Sequence, residues 1–129
     1  PVLMGALGRA WTNGLQNGED DRFVKVAITL KHFIANSVEG PWSTNGTWDP
    51  HGPINRHTID ATIPKQALAD YYFKPYKTAI RAGARGVMCS YNSVNGIPVC
   101  LSADMKAARD AWGFAGYVTS DSDSVSDGK

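Results

Sequence analysis

The sequence predicts an α/β fold in which crossover helices cover a parallel sheet. Three stretches rich in β-branched and apolar residues are typical of buried strands: residues 24–30, 86–91 and 116–120. Apolar residues at helical spacing precede each strand, at residues 2–11, 63–83 and 102–113. Because helix and strand alternate, a parallel sheet is the economical arrangement, and either a closed barrel or an open doubly wound sheet satisfies it.

Local signals predict where the second and third helices begin and end. Pro64 stands in the first turn of the second helix, and Pro75 should kink that helix further on. Ser102 is a good N-cap for the third helix, which Gly113 should end. The long segment 36–59 has no periodicity and is too long for a plain connection, which indicates a functional loop.

Composition and charge indicate an ordinary globular chain with a neutral ligand. Its 129 residues are 43% hydrophobic and 19% charged, which argues against disorder. A net charge of +1 gives no reason to expect nucleic acid or an acidic membrane as partner. No apolar run approaches the roughly 18 residues that span a bilayer. The chain begins without methionine or a signal peptide and ends soon after a strand, so we expect a piece of a larger domain, truncated at both ends.

Two cysteines and a glycosylation sequon favour an oxidising, secretory compartment. Cys89 and Cys100 flank the turn-rich segment 92–98, which favours a disulfide between them, although two buried free thiols are the alternative. Asn45 begins an Asn-Gly-Thr sequon in a polar loop. We therefore expect a secreted glycoprotein.

Polar side chains stand at the predicted carboxyl ends of all three strands. Lys31 and His32 end the first strand, Tyr91 ends the second and Asp121 ends the third. Since active sites of parallel α/β folds lie at this edge, we expect the four side chains to surround one cleft.

The residue types in this predicted cleft suit glycoside hydrolysis. A short carboxylate at a strand end can attack an anomeric carbon, and a nearby Lys31 would keep Asp121 ionised. Lys31 and His32 can donate hydrogen bonds to sugar hydroxyls. Helix capping is the alternative role for Asp121, and a core histidine bonded to a backbone carbonyl is the alternative for His32.

Three ordered blocks of the sequence resemble the barrel domain of the family 3 glycoside hydrolases. They are Lys31-His32-Phe33, residues 87–92 followed by Asn95-Gly96, and residues 112–121. The resemblance covers nearly the whole chain. It implies a partial (β/α)₈ barrel of the TIM type, with residues 1–129 forming part of one N-terminal catalytic domain.

The resemblance also implies roles for individual residues. Asp121 would be the catalytic nucleophile. The residues that would line the sugar subsite are Lys31, His32, Tyr91 and, at its border, Met88. Neither a metal nor an organic cofactor is implied. The acid/base carboxylate would come from a second domain of the parent chain, while Glu39, a conceivable proton donor by chemistry, is expected to be a loop or substrate contact.

The activity implied is retaining hydrolysis of an oligosaccharide or aryl β-glycoside. The block from Ser120 to Val125 is similar to that of eukaryotic β-xylosidases, which indicates an exo-acting enzyme of xylan catabolism. Ser122 departs from the family patterns, so a β-glucosidase stays an alternative, as does a non-catalytic carbohydrate-binding relative. A nucleotide-binding domain is disfavoured because the chain has no G-x-G-x-x-G run. The isolated 129-residue chain is expected to be inactive.

Overall fold

A parallel sheet at the centre of the chain is flanked by helices, and the structure, a computed structural model, describes residues 1–128. In chain order the elements are α1 (Val2–Gln16), β1 (Thr29–Phe33), β2 (Asp60–Ala61), α2 (Lys65–Ala67), α3 (Phe73–Arg81), β3 (Gly86–Cys89), β4 (Ser93–Val94), β5 (Ile97–Pro98), α4 (Ala103–Trp112) and β6 (Tyr117–Ser120). A π turn (Leu68–Tyr72) joins α2 to α3, and 3₁₀ turns cover Val99–Leu101 and Ser124–Gly128.

The main sheet has the strand order β1-β3-β6, and both of its pairings are parallel. β3 and β6 pair without interruption from Gly86 opposite Tyr117 to Cys89 opposite Ser120. The predicted α/β class with a parallel sheet is therefore confirmed. Among the described residues, no helix combines the length and apolar character needed to cross a membrane.

The first strand begins later than the sequence predicts. Residues 24–28 lie against the end of α1, where the Lys25 N–H donates to the Gln16 carbonyl at 2.9 Å and the Ile28 N–H donates to Gln16 Oε1 at 3.2 Å. The Ile28 carbonyl then accepts from Gly86, which starts the ladder. The predicted strand 24–30 was thus wrong at its start, whereas Lys31 and His32 lie near the end of β1, as predicted.

The third helix begins and ends as predicted. The Ser102 hydroxyl accepts from the Asp104 N–H at 3.0 Å, and Gly113 adopts φ 77°, the left-handed conformation that favours glycine at a helix end. In the second helical segment the π turn falls just before Pro75. Because Pro75 has no N–H to donate to Tyr71, four residues earlier, a regular α-helical bond is impossible there.

Phe33 fixes the end of β1 within the hydrophobic core. Its side chain is fully buried, and its ring lies 5.1 Å from Tyr76 and 6.0 Å from Phe73, measured between ring centroids. The ring of Trp112, in α4, also packs near Phe33, with 6.4 Å between the two ring centroids. Burying such a side chain contributes about 1.5–3 kcal/mol. The residue before it, His32, is thereby held at a defined place on the sheet edge.

A small second sheet, which the sequence analysis did not predict, extends from the end of β3. The hairpin of β4 and β5 turns at Asn95 and Gly96, both with positive φ, and β4 pairs in parallel with β2. Cys89 and Cys100 form a disulfide across this hairpin, with their Cα atoms 5.2 Å apart. The disulfide joins the last residue of β3 to the segment that returns towards it.

Removing this disulfide is expected to lower stability by about 3 kcal/mol, because the bond closes a short loop of the unfolded chain. The measurement compares denaturant midpoints of the whole protein with those of a Cys89→Ala/Cys100→Ala variant. Reductant should shift the midpoint of the parent and leave the variant unchanged. Equal midpoints for parent and variant, or free thiols in a non-reducing peptide map, would contradict the prediction.

Candidate active site

Asp121 directly follows β6, and its carboxylate is held by three hydrogen-bonding groups. Oδ1 accepts from the Ser122 N–H at 2.8 Å and from the Tyr91 hydroxyl at 3.1 Å. Oδ2 lies 3.0 Å from Nε2 of His32. The Asp121 N–H also donates to the Cys89 carbonyl at 3.2 Å, which continues the sheet ladder to this residue. The carboxylate therefore has a fixed position and orientation at the sheet edge.

These neighbours keep Asp121 ionised. Burial by itself would raise the pKa of Asp121, but the hydrogen bonds from Ser122 and Tyr91, together with the electrostatic influence of His32 and Lys31, hold it below its usual 3.8. A depressed carboxyl pKa stabilises the fold above the pKa of the unfolded chain, and this stabilisation is lost as pH falls through the folded value. The Asp121 carboxylate is thus a charged group through the whole neutral range.

Both the backbone and the side chain of Asp121 contact the turn that follows it, so the alternative that Asp121 only caps a helix can be tested against its contacts. The following 3₁₀ turn is anchored on the Asp121 carbonyl, which accepts from the Ser124 N–H at 3.2 Å. The carboxylate does accept the Ser122 N–H, as a capping group would, but it also contacts His32 and Tyr91 from two other strand ends. Capping alone does not account for those two contacts.

His32 reaches the site from β1, and Lys31 stands next to it in the chain, in the wall of a separate cavity beside α1 and α3. The His32 carbonyl accepts from the Tyr76 hydroxyl at 2.5 Å, and burial raises the pKa of Tyr76 to about 12, so this donor stays protonated. With the backbone held in this way, the imidazole Nε2 points to Asp121, which is not the arrangement of a core histidine bonded to a carbonyl. Lys31 is exposed and acts on Asp121 through its charge.

Two further residues singled out from the sequence are Met88, which lies in β3, and Asn45, which lies in the 36–59 loop. Met88 is half-buried between the buried Val87 and Cys89, so it lies on the opposite face of β3, next to Thr119 in β6. Asn45 occupies an exposed turn, where its Oδ1 accepts from the Thr47 N–H at 3.2 Å and the Thr47 hydroxyl at 2.8 Å. A contact between Met88 and sugar, and a glycan on Asn45, stay predictions.

Two residues of the 36–59 loop belong to the cluster and were missed from the sequence. The Arg56 guanidinium lies 4.2 Å from the centroid of the Tyr91 ring, and the His57 ring lies 4.7 Å from the same centroid. Arg56 also pairs with Glu39, at 3.6 Å between Nη1 and Oε2. Their position shortly before a strand, β2, could have marked them as candidates. That strand has only two residues, however, and the sequence shows no pattern by which to detect it.

Two cavities reach residues at the edge of the cluster, and neither has Asp121 or Tyr91 in its wall. One of about 650 Å³ has Glu39, Arg56 and His57 in its wall, and another of about 370 Å³ has His32 and Asn36 in its wall. Within residues 1–128, no three His, Cys, Asp or Glu side chains are grouped as the ligands of a metal ion would be. The chemistry available here is that of an ionised carboxylate with hydrogen-bond donors around it.

A carboxylate held at the carboxyl edge of a parallel α/β sheet, beside donors suited to sugar hydroxyls, fits one half of the carboxyl pair that glycoside hydrolases use. The chain belongs to glycosyl hydrolase family 3: residues 1–128 match the family described as "Glycosyl hydrolase family 3 N terminal domain". The resemblance noted in the sequence is therefore confirmed.

Similar proteins include both xylosidases and glucosidases. Beta-D-xylosidase 3 of Arabidopsis thaliana is 36% identical over an alignment of 130 positions, which covers 97% of this chain. The structure of a GH3 exo-beta-xylosidase in complex with a xylobiose aziridine probe matches 98% of the chain with a TM-score of 0.79 and 32% identity. That of a beta-glucosidase from Listeria innocua matches 98% with a TM-score of 0.74 and 26% identity. The chain spans 16% of the length of each of these three proteins.

Proposed function

We propose that the whole protein carrying this chain is a retaining β-glycosidase, an exo-acting β-xylosidase on xylo-oligosaccharides, with Asp121 as its nucleophile. The observation that carries the proposal is the Asp121 carboxylate, which Tyr91 and His32 hold from the ends of two neighbouring strands. Such a group is ionised, fixed in direction and placed where substrates of parallel α/β enzymes bind.

In the proposed reaction, an Asp121 oxygen attacks the anomeric carbon while a second carboxyl group protonates the departing glycosidic oxygen. The bond to the leaving group breaks as the bond to Asp121 forms, giving a covalent glycosyl-enzyme. The second group then removes a proton from water, which displaces Asp121 and restores the original anomeric configuration. Two inversions at one carbon account for retention.

The surrounding residues would serve this reaction by orientation and charge. Tyr91 and His32 each hold one oxygen of the carboxylate, so the attacking lone pair is directed before substrate arrives. Lys31 adds a positive charge near the ionised carboxylate and a donor for a sugar hydroxyl. Each of these contributions is smaller than the covalent role of Asp121.

The preference for xylosides is supported by the names of the relatives. The curated relatives at 34–40% identity are named xylosidases, whereas Ser122 departs from the family patterns and supports neither substrate. A β-glucosidase is the second candidate, because the Listeria innocua beta-glucosidase matches the same part of the chain.

Secretion is supported by the disulfide and by the exposed Asn45 sequon, and a glycopeptide map of the secreted protein would test it.

The test of this function is hydrolysis of aryl β-xyloside and aryl β-glucoside by the whole protein, with the first-formed sugar followed by proton NMR. We expect β-xylose to appear before mutarotation, and a higher kcat/KM for the xyloside. Release of the α anomer would show inversion and overturn the mechanism. A higher kcat/KM for the glucoside would replace the xylosidase by the second candidate.

A further inference from the structure

A chain of contacts runs from the 36–59 loop to the nucleophile through one aromatic ring. Arg56 and His57, consecutive in the loop, both contact the ring of Tyr91. The hydroxyl of that ring donates to Asp121 at 3.1 Å. Glu39 stands at the far end of the chain of contacts, paired with Arg56. A change in the loop can therefore reach Asp121 without touching it.

The loop is firm enough to hold Arg56 in place. Trp42 and Ile54 exchange backbone hydrogen bonds of 2.7 and 3.1 Å, and the Arg56 N–H donates to the Glu39 carbonyl at 3.0 Å, so residues 39–42 and 54–56 form a two-stranded ribbon. Beyond the ribbon, the Ser93 N–H donates to the Ile59 carbonyl at 3.0 Å. The loop is thus tied to the segment that follows Tyr91.

The backbone and the ring of Tyr91 are held by different neighbours. The main chain is fixed on either side of Tyr91, because the Ser90 N–H donates to the Phe33 carbonyl at 2.6 Å and Asn92 is fully buried. These contacts do not set the direction of the ring, which decides where the hydroxyl points. The ring itself contacts Arg56 and His57.

We propose that Arg56 is a positioning residue of this site: by stacking on Tyr91 and pairing with Glu39, it holds the Tyr91 hydroxyl on Asp121. The 36–59 loop thereby sets how well the carboxylate is stabilised as the attacking anion. This inference rests on the proposed function, since it assigns Arg56 a task in the reaction of Asp121. Arg56 acts through Tyr91 and is not itself a catalytic residue.

The sign of the expected pH effect follows from the charges around the Tyr91–Asp121 pair. The groups that face it are Lys31 and His32 from β1, Arg56 and His57 from the loop, and Asp123 from the turn after β6. Burial and the bond to Asp121 raise the pKa of Tyr91, and the positive charge of Arg56 opposes that rise. Without the Arg56 charge the Tyr91 hydroxyl is a weaker hydrogen-bond donor, so the pKa of Asp121 rises. The acidic limb of the plot of Asp121 reaction rate against pH then moves to higher pH.

The experiment follows covalent trapping of Asp121 in the whole protein by a 2-deoxy-2-fluoro-β-xyloside with a dinitrophenolate leaving group. Such a leaving group departs without protonation, so the trapping rate against pH reports the nucleophile alone. The variants are Arg56→Gln, Arg56→Lys, Tyr91→Phe and the double variant Arg56→Gln/Tyr91→Phe. Arg22→Gln is the matched control, because Arg22 also pairs with an acid, Asp20 at 2.7 Å, and lies over a ring, Phe23 at 5.6 Å, on the exposed surface.

We expect Arg56→Gln to move the acidic limb of the trapping rate up by about half a pH unit, a fraction of the shift that a direct charge contact causes, and so to slow trapping about threefold at low pH. Arg56→Lys keeps the positive charge and should therefore show a smaller shift than Arg56→Gln. Arg22→Gln should show no shift. In the Tyr91→Phe background, Arg56→Gln should add nothing, because its route to Asp121 is already cut.

Two results would overturn the inference: an unchanged acidic limb in Arg56→Gln while Tyr91→Phe shifts it, or equal effects of Arg56→Gln with and without the Tyr91 hydroxyl. Peptide mapping separates this failure from that of the proposed function. A label on Asp121 in parent and variants keeps the proposed function and shows that each variant is folded. A label elsewhere, or no label on the parent, rejects the proposed function itself.

Discussion

Asp121→Asn is expected to reduce kcat of the whole protein by on the order of 10⁴-fold or more, since removing a covalent nucleophile removes the reaction path itself. Asparagine has nearly the volume of aspartate and can still accept from Tyr91 at its amide oxygen, so the fold should persist. What is lost is the anion that attacks the anomeric carbon. The measurement is steady-state cleavage of an aryl β-xyloside, with thermal unfolding of both proteins alongside.

Asp123→Asn is the matched control for this prediction. Asp123 lies two residues away, carries the same charge, and has φ 65°, a conformation that asparagine also adopts readily. We expect its turnover to stay within a few-fold of the parent. In a companion variant, Asp121→Gly, added azide should attack from the vacated side and give the α-glycosyl azide. Near-parental turnover of Asp121→Asn would instead show that Asp121 is not the nucleophile.

The parallel sheet could be predicted because its signal is local. Residues 86–89 and 117–119 are apolar or β-branched and lie between helical segments, and both stretches form strands of the sheet. The start of β1 could not be predicted in the same way. Residues 24–28 have the same composition as a strand, but Gln16, at the end of α1, takes the backbone donors of Lys25 and Ile28. A contact between distant segments decided that boundary.

The cluster at the sheet edge likewise contains residues that could be predicted from the local sequence and residues that could not. Strand-end position and residue type were enough to single out His32, Tyr91 and Asp121, which the structure brings within hydrogen-bonding distance. Arg56 and His57 reach Tyr91 only because a ribbon within the 36–59 loop folds back over the strand ends. That ribbon rests on a few backbone hydrogen bonds between residues 12 and 17 positions apart, and no hydrophobic period accompanies them.

The isolated 129-residue chain is expected to hydrolyse no aryl β-xyloside at a measurable rate, in contrast to the whole protein. The retaining mechanism needs a second carboxyl group that protonates the leaving oxygen and later activates water. Glu39 is the conceivable donor from the sequence, but its carboxylate is 65% exposed and paired with Arg56. It is therefore engaged in holding the loop instead of being placed as an acid.

The exposed apolar surface of the chain gives a second reason for this inactivity. Trp11 on α1 is 64% exposed and Val118 on β6 is 39% exposed, and apolar surface of this kind favours association over a single stable fold. The measurement is cleavage of an aryl β-xyloside by the isolated chain and by the whole protein at equal concentrations, with circular dichroism and size-exclusion chromatography of both. Measurable cleavage by a folded, monomeric isolated chain would contradict the prediction, because residues 1–129 would then hold both carboxyl groups of the reaction.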